Sequence, residues 1–248
     1  EWSGIIFQRF TTLSKSMQIT EFNTGAIRPV ECLREGWELI KDDFWLLFAI
    51  SLVGGLIAGF TVYVLLGAMI CGIFGCYLKK IDGKKVAFED LWLGFNYLGP
   101  SALVTIIFIV PIVVYVVVLF VTIYSPLIVA AMMGNRVDPT VLLGTFLVAL
   151  VVDVIVAVVM TCIHSLMIFC FPLIIDRKLS SIDSLKLSAR AAMKNIGGIA
   201  GLVGLNFVLV LLGQLAFCVG IYFVIPVITA GNLVAYRKVF PALPASSI

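Results

Sequence analysis

Charge is missing from most of this sequence. Four apolar blocks, Trp45–Leu78, Leu98–Met133, Pro139–Ile175 and Ile196–Tyr236, run for 34, 36, 37 and 41 residues, and Asp153 is their only formally charged side chain at neutral pH. The chain is 62% apolar and 12% charged, against roughly 45–50% and about 25% for a soluble domain. These blocks exclude a water-soluble fold and predict an all-α integral membrane protein, because a helix needs about 20 apolar residues to cross a bilayer.

Other absences narrow the chemistry. None of the six cysteines forms a C-x-x-C pair, and five lie in apolar blocks, so free thiols are expected rather than a disulfide framework or zinc site. There is no Walker loop, G-x-S-x-G, H-E-x-x-H or dinucleotide fingerprint, and no cluster of carboxylates or histidines suited to a metal. Catalysis is therefore not expected, nor is nucleic acid among the partners. Residues 1–44 contain no apolar stretch of the secretory type.

What charge there is sets the threading. Arg9, Lys15, Arg28, Arg34 and Lys41 precede the first block, and Lys79, Lys80, Lys84 and Lys85 follow it. Arg177, Lys178, Lys186, Arg190 and Lys194 precede the last block, and Arg237 and Lys238 close it. Only Arg136 remains, in the turn Gly134–Asp138. Basic loops favour the cytoplasm. If all four basic segments lie inside, the blocks cross two, one, one and two times. The result is six helices in a cell inner (plasma) membrane, with both termini cytoplasmic. Gly54, Gly55, Gly59 and Gly67 mark the first internal turn, and Gly213 and Gly220 the second. Pro111 and Pro126 are expected to break the second block and Pro172 to end the third.

Three segments outside the blocks have helical periodicity. Val30, Leu33, Trp37, Ile40 and Phe44 share a face of 29–44; Phe88, Trp92 and Phe95 share one of 86–98; Leu185, Ala189, Ala192 and Met193 share one of 183–195. Lys186, Arg190 and Lys194 form a row on the opposite side of the last, and Ser180 with Asp183 forms a capping box. Such helices lie in a headgroup plane. Trp37, Trp92 and the three cations are thus the expected contacts to membrane lipids or a partner. Each outer part of the chain pairs one such helix with a hairpin, a weak internal repeat. The expected organisation is a cytoplasmic segment 1–28, a membrane domain 29–240 and a tail 241–248.

Inside the blocks, Asp153 is the sharpest residue, because an aspartate at mid-helix costs about 2.5–3.5 kcal/mol to insert and faces protein or water. His164 lies three turns further along the same face, roughly 16 Å away. Asn206 and Gln214 roughly share a face of the fifth helix. These four are candidates for a proton or ion site; the bland alternative for each is interhelical hydrogen bonding. No cofactor is expected, apart from the remote option of a tetrapyrrole ligated by His164.

The run Phe171-Pro172-Leu173-Ile174-Ile175-Asp176-Arg177, then Ser184–Ser188 and Asn195, resembles a broad group of uncharacterised bacterial six-helix membrane proteins, and the closing Pro226-Val227-Ile228 with Ala235–Phe240 fits as well. These are similar to the membrane domain fused to some glycerophosphodiester phosphodiesterases. The resemblance covers 29–240, implies a six-helix domain without a catalytic domain, and carries over no functional residue. Together these readings favour a non-enzymatic accessory or scaffold subunit among other integral membrane subunits. The alternatives are a small transporter or channel using Asp153 and, more weakly, a lipid-handling protein.

Overall fold

The structure, a computed structural model, describes residues 20–134, 138–216 and 219–243. Arg9, Lys15, Asn135, Arg136, Cys218 and the end of the tail lie outside the described residues. Among the described residues there are helices and no strands. An amphipathic α1 (Pro29–Ile40) leads through the 3₁₀ turn Lys41–Asp43 into the hairpin α2 (Phe44–Phe60) and α3 (Leu66–Ile81). A 3₁₀ segment, Phe88–Tyr97, precedes α4 (Leu98–Leu119), which continues through a π-turn, Phe120–Tyr124, into α5 (Ser125–Met133). The long α6 (Pro139–Leu166), the short α7 (Cys170–Arg177) and the amphipathic α8 (Ser181–Lys194) lead to a second hairpin, α9 (Ile196–Leu215) and α10 (Gly220–Val239).

Five helical stretches, Pro29–Phe60, Phe88–Met133, Pro139–Arg177, Ile196–Leu215 and Gly220–Val239, are long and apolar enough to cross a membrane. The expected sixth is α3, which at 16 residues is shorter than these. The turn between α2 and α3 does not fall on the glycines. It is Thr61–Leu65, with Val62 and Tyr63 at φ 49° and 64°, left-handed positions that glycine would occupy without strain. Gly54 and Gly67 serve packing instead: a Cβ on Gly54 would stand 2.8 Å from Ile73 Cδ1, and one on Gly67 would overlap the hydroxyls of Ser101 and Thr105.

The prolines act upstream of where they stand. Pro126 has no N–H for the carbonyl of Thr122, and the π-turn Phe120–Tyr124 takes up the mismatch just before α5. Pro172 likewise has none for Ile168, so α6 ends at Leu166 and Pro172 sits in the first turns of α7, rather than ending the long helix itself. Pro111 remains inside α4 without breaking it.

The segment 86–98 corrects the expected α period. It is a 3₁₀ helix whose threefold spacing buries Leu91 and Gly94 against α3 and leaves Trp92 and Phe95 outside, stacked at 6.1 Å. Close backbone approach explains it: a Cβ on Gly94 would meet Gly72 N at 2.5 Å. In α1 the buried ridge is Cys32, Gly36 and Ile40, one row over from the expected face, and Val30 and Trp37 are exposed. In α8 the buried row is Ser184, Leu187, Ser188, Ala191 and Ala192; Met193 is exposed, as are Lys186, Arg190 and Lys194. Ser188 explains the rotation: its hydroxyl donates to Leu166 O at 2.7 Å and accepts from Phe169 N–H at 3.1 Å, closing the backbone groups freed where α6 ends.

The basic segments meet in space. Lys80 pairs with Asp43, Lys79 with Asp90 at 2.7 Å, and Lys238 with Glu35 at 2.8 Å. The Arg237 guanidinium bridges Asp176 at 2.6 Å and Asp82 at 2.8 Å. One end of the bundle is therefore a charged layer, and α4, α5 and α6 run away from it as a two-helix arm.

Candidate functional site

Four helices frame a cleft of about 480 Å³ above the charged end. Ile112 and Tyr115 come from α4, Ala157 to Ser165 from α6, Val203 and Asn206 from α9, and Asn232 from α10. Among the described residues no Asp, Glu, Lys or Arg lines it. The α6 wall of the cleft is tied to α4 by a polar contact.

His164 makes that contact. Its Nε2 stands 3.1 Å from Phe108 O and its Nδ1 2.8 Å from Met160 O, with the ring edge-on to Phe108 at 4.6 Å. Pro111 has no N–H for the carbonyl of Ile107, one residue before Phe108, so His164 ties α6 to the proline-bearing turn of α4. Ligation of a tetrapyrrole through Nε2 would require giving up the bridge to α4.

On the facing wall, Asn206 Nδ2 donates to Asn232 Oδ1 at 2.9 Å. Asn206 Oδ1 is buried and has no hydrogen-bond partner among the described residues. Asn232 was not singled out by sequence. The signal was an amide four residues from the end of the last apolar block, in the same hairpin as Asn206.

Asp153 is elsewhere. It is buried at 5% exposure on the seam between α6 and the π-turn, where the Thr122 hydroxyl stands 3.0 and 3.1 Å from its two carboxyl oxygens. Thr122 also reaches its own helix at Val118 O, 2.8 Å away. Asp153 and His164 thus have different partners, and Asp153 lines neither the cleft nor the groove between α5 and α6. That groove, about 620 Å³, is bounded by Ser125, Val129, Met133, Val141 and Thr145. Gln214 lies one residue before the end of α9, exposed, and does not line the cleft. Of the four candidates, the structure brings only His164 and Asn206 together.

The motif residues of the carboxy-terminal third prove to be staples of the charged end. Tyr236 donates to Asp176 Oδ2 at 2.7 Å, and Arg237 forks onto Asp176. Arg177 lies over the Phe240 ring at 5.4 Å and donates to Pro241 O at 3.0 Å. Asn195 bonds Asn23 O, Ala191 O and Ala26 N–H, clipping the entering chain to the α8–α9 corner. These contacts hold the fold, and Asn23, Arg177 and Pro241 also line an open cleft of about 510 Å³ at the charged end, beside Thr20, Glu21 and Phe22.

Fold and site together define a polytopic, all-α membrane protein with an uncharged lateral cleft. No family model, curated protein or solved structure matches the chain.

Proposed function

We propose that this chain is a non-enzymatic accessory or scaffold subunit of a bacterial plasma-membrane assembly, related to the membrane domains it resembles in sequence, with both termini cytoplasmic. The observation that carries the proposal is the length of the arm. At about 1.5 Å per residue, α10 rises roughly 26 Å from Arg237 to Gly220, close to the ~30 Å hydrocarbon thickness of a bilayer. Both hairpin tips are apolar, with Phe60 and Leu215 among the most exposed side chains, which suits an end just inside the far boundary.

From the cleft, α10 climbs only about 18 Å further, from Asn232 to Gly220, whereas α6 climbs about 38 Å from His164 to Pro139. The arm therefore outreaches the hairpin by ~20 Å. The overhang is bare: Met132 is 83% exposed and Leu143 62%. A contiguous apolar projection past the bilayer is a surface for another protein. Another membrane subunit seated along the groove between α5 and α6 would cover it.

The test is photo-crosslinking from Leu143 and Met132 in native membranes, combined with purification in a gentle detergent. The proposal expects one other membrane protein, crosslinked from both positions and recovered in fixed stoichiometry. A monodisperse single species crosslinked only to lipid, or only to a second copy of itself, would overturn the accessory reading.

A further inference from the structure

We infer that the lateral cleft binds a neutral, hydroxyl-bearing membrane amphiphile of the diacylglycerol type. Three observations converge, and none depends on what covers the arm.

The first is unspent hydrogen-bonding capacity. The Asn206–Asn232 pair makes a single bond, from Asn206 Nδ2 to Asn232 Oδ1. That leaves an acceptor, Asn206 Oδ1, buried without a partner, and beside it the Asn232 amide N–H groups, which make no bond among the described residues. A buried amide oxygen without a donor is costly, so the site is completed by a ligand that donates. A hydroxyl next to a carbonyl does both jobs: its O–H goes to Asn206 Oδ1 and its oxygens take the Asn232 N–H.

The second is charge. Among the described residues no Asp, Glu, Lys or Arg lines the cleft; its titratable side chains are Tyr115 and His164, and the two ring nitrogens of His164 face the carbonyls of Met160 and Phe108. The nearest guanidinium on the same helix, Arg237, has Nε, Nη1 and Nη2 all engaged by Asp82 and Asp176. A phosphate would find no free cation here, so the head is neutral.

The third is depth and shape. Asn232 stands about 8 Å above Arg237 along α10, in the outer third of the hydrocarbon layer, a depth open to an uncharged head but not to a phosphate, which stays among the hydrated headgroups. Above and beside the amides the walls are Ile112, Ala157, Met160 and Val203. The 480 Å³ falls within the range of small-molecule pockets. Ala157 and Met160 of α6 and Val203 of α9 are half-exposed on its walls, so an acyl chain can reach the cleft from the bilayer.

Equilibrium binding to the purified full chain in mixed micelles tests this, with radiolabelled dioleoylglycerol as probe. The comparators are the same lipid with its hydroxyl acetylated, and dioleoylphosphatidic acid. One dioleoylglycerol per chain is expected, and the acetylated lipid is expected to bind about tenfold more weakly, the worth of one lost hydrogen bond at a buried acceptor. Asn206→Leu should weaken binding to a similar degree. Ala157→Phe, on a half-exposed flank of α6, fills the cleft without touching the amides and should abolish binding while the helical circular dichroism is retained. Equal binding of the acetylated lipid, tighter binding of phosphatidic acid, or an Ala157→Phe protein that still holds dioleoylglycerol would each overturn the proposal.

Discussion

Replacing Thr122 by valine removes one hydroxyl and tests what Asp153 is for. Thr122 is the donor at Asp153, 3.0 and 3.1 Å from its carboxyl oxygens; Asp153 is buried and Thr122 half-buried between α6 and the π-turn. If Asp153 pins α6 to the π-turn, Thr122→Val leaves the carboxyl without that donor. Interhelical hydrogen bonds in membrane proteins average about 0.6 kcal/mol and reach ~1.7. An acceptor left unpaired costs about 1–3. A loss of roughly 1–2 kcal/mol is therefore expected.

Asp153→Leu removes both the bond and the desolvation cost of a buried acid, so it should be neutral or stabilising. The double variant should match Asp153→Leu, because once the acid is gone the Thr122 hydroxyl has no partner outside its own helix, only the back-bond to Val118 O, 2.8 Å away, whose loss costs little. The assay is reversible unfolding in mixed micelles with a rising fraction of denaturing detergent, followed by helical circular dichroism. The reasoning is refuted if Asp153→Leu costs more than about 2 kcal/mol while Thr122→Val costs nothing, since the acid would then be held by something other than Thr122.

Three further outcomes follow from the same geometry. Asp153→Asn should leave ion and proton flux in proteoliposomes unchanged, because the carboxyl lines neither the cleft nor the groove; a lost flux would restore the transport reading. A Cβ at Gly36 would stand 2.6 Å from Gly231 N and 2.9 Å from Ala230 C, so Gly36→Ala should push α1 off α10 at a cost of roughly 1–3 kcal/mol, whereas Gly59→Ala, with nothing within 4 Å, should stay within about 0.5; equal thermal stabilities would show that the α1–α10 contact is loose. Asp138 caps α6, accepting the Thr140 hydroxyl at 2.7 Å and its N–H at 2.8 Å, and these bonds hold its carboxyl below the usual aspartate range. A depressed folded value means that the cap contributes above the unfolded pKa of about 3.9 and fades as pH falls below it; hydrogen exchange at Val141–Leu143 should therefore speed up, relative to intrinsic rates, between pH 6 and pH 3, and Asp138→Asn should flatten that dependence.

Much of the fold could be read from where charge stops. The block boundaries at Trp45, Leu98, Pro139 and Ile196 lie within a residue of the starts of α2, α4, α6 and α9, because a helix in lipid must be apolar on every side. The same uniformity hides what distinguishes one side from another. With apolar residues all round, periodicity does not say which face of α6 meets α4, and so the pairing of Asp153 with Thr122 was not legible: a threonine in a membrane helix looks like any back-bonded hydroxyl. The 3₁₀ course of 88–97 was hidden because its cause lies in another helix, in Gly72 of α3. The cleft was half legible. His164 and Asn206 stood out as polar residues in apolar blocks, but Asn232 sits close to the charged end and reads as an interfacial amide until Asn206 is seen beside it. The turn at Val62 and Tyr63 went the other way, since the glycines that advertise a turn are spent on packing.

The central claim is that the arm passes beyond the bilayer while both hairpins end within it. Nitroxide labels at Leu143, Leu215 and Val159, in protein reconstituted without partners, measure this through the ratio of collisions with dissolved oxygen to collisions with an aqueous nickel complex. Leu143 is expected to be nickel-accessible, Val159 to be oxygen-dominated at mid-membrane, and Leu215 to lie at the boundary between them. If Leu143 is as oxygen-dominated as Val159, the arm is immersed in lipid and the overhang that a partner would cover does not exist.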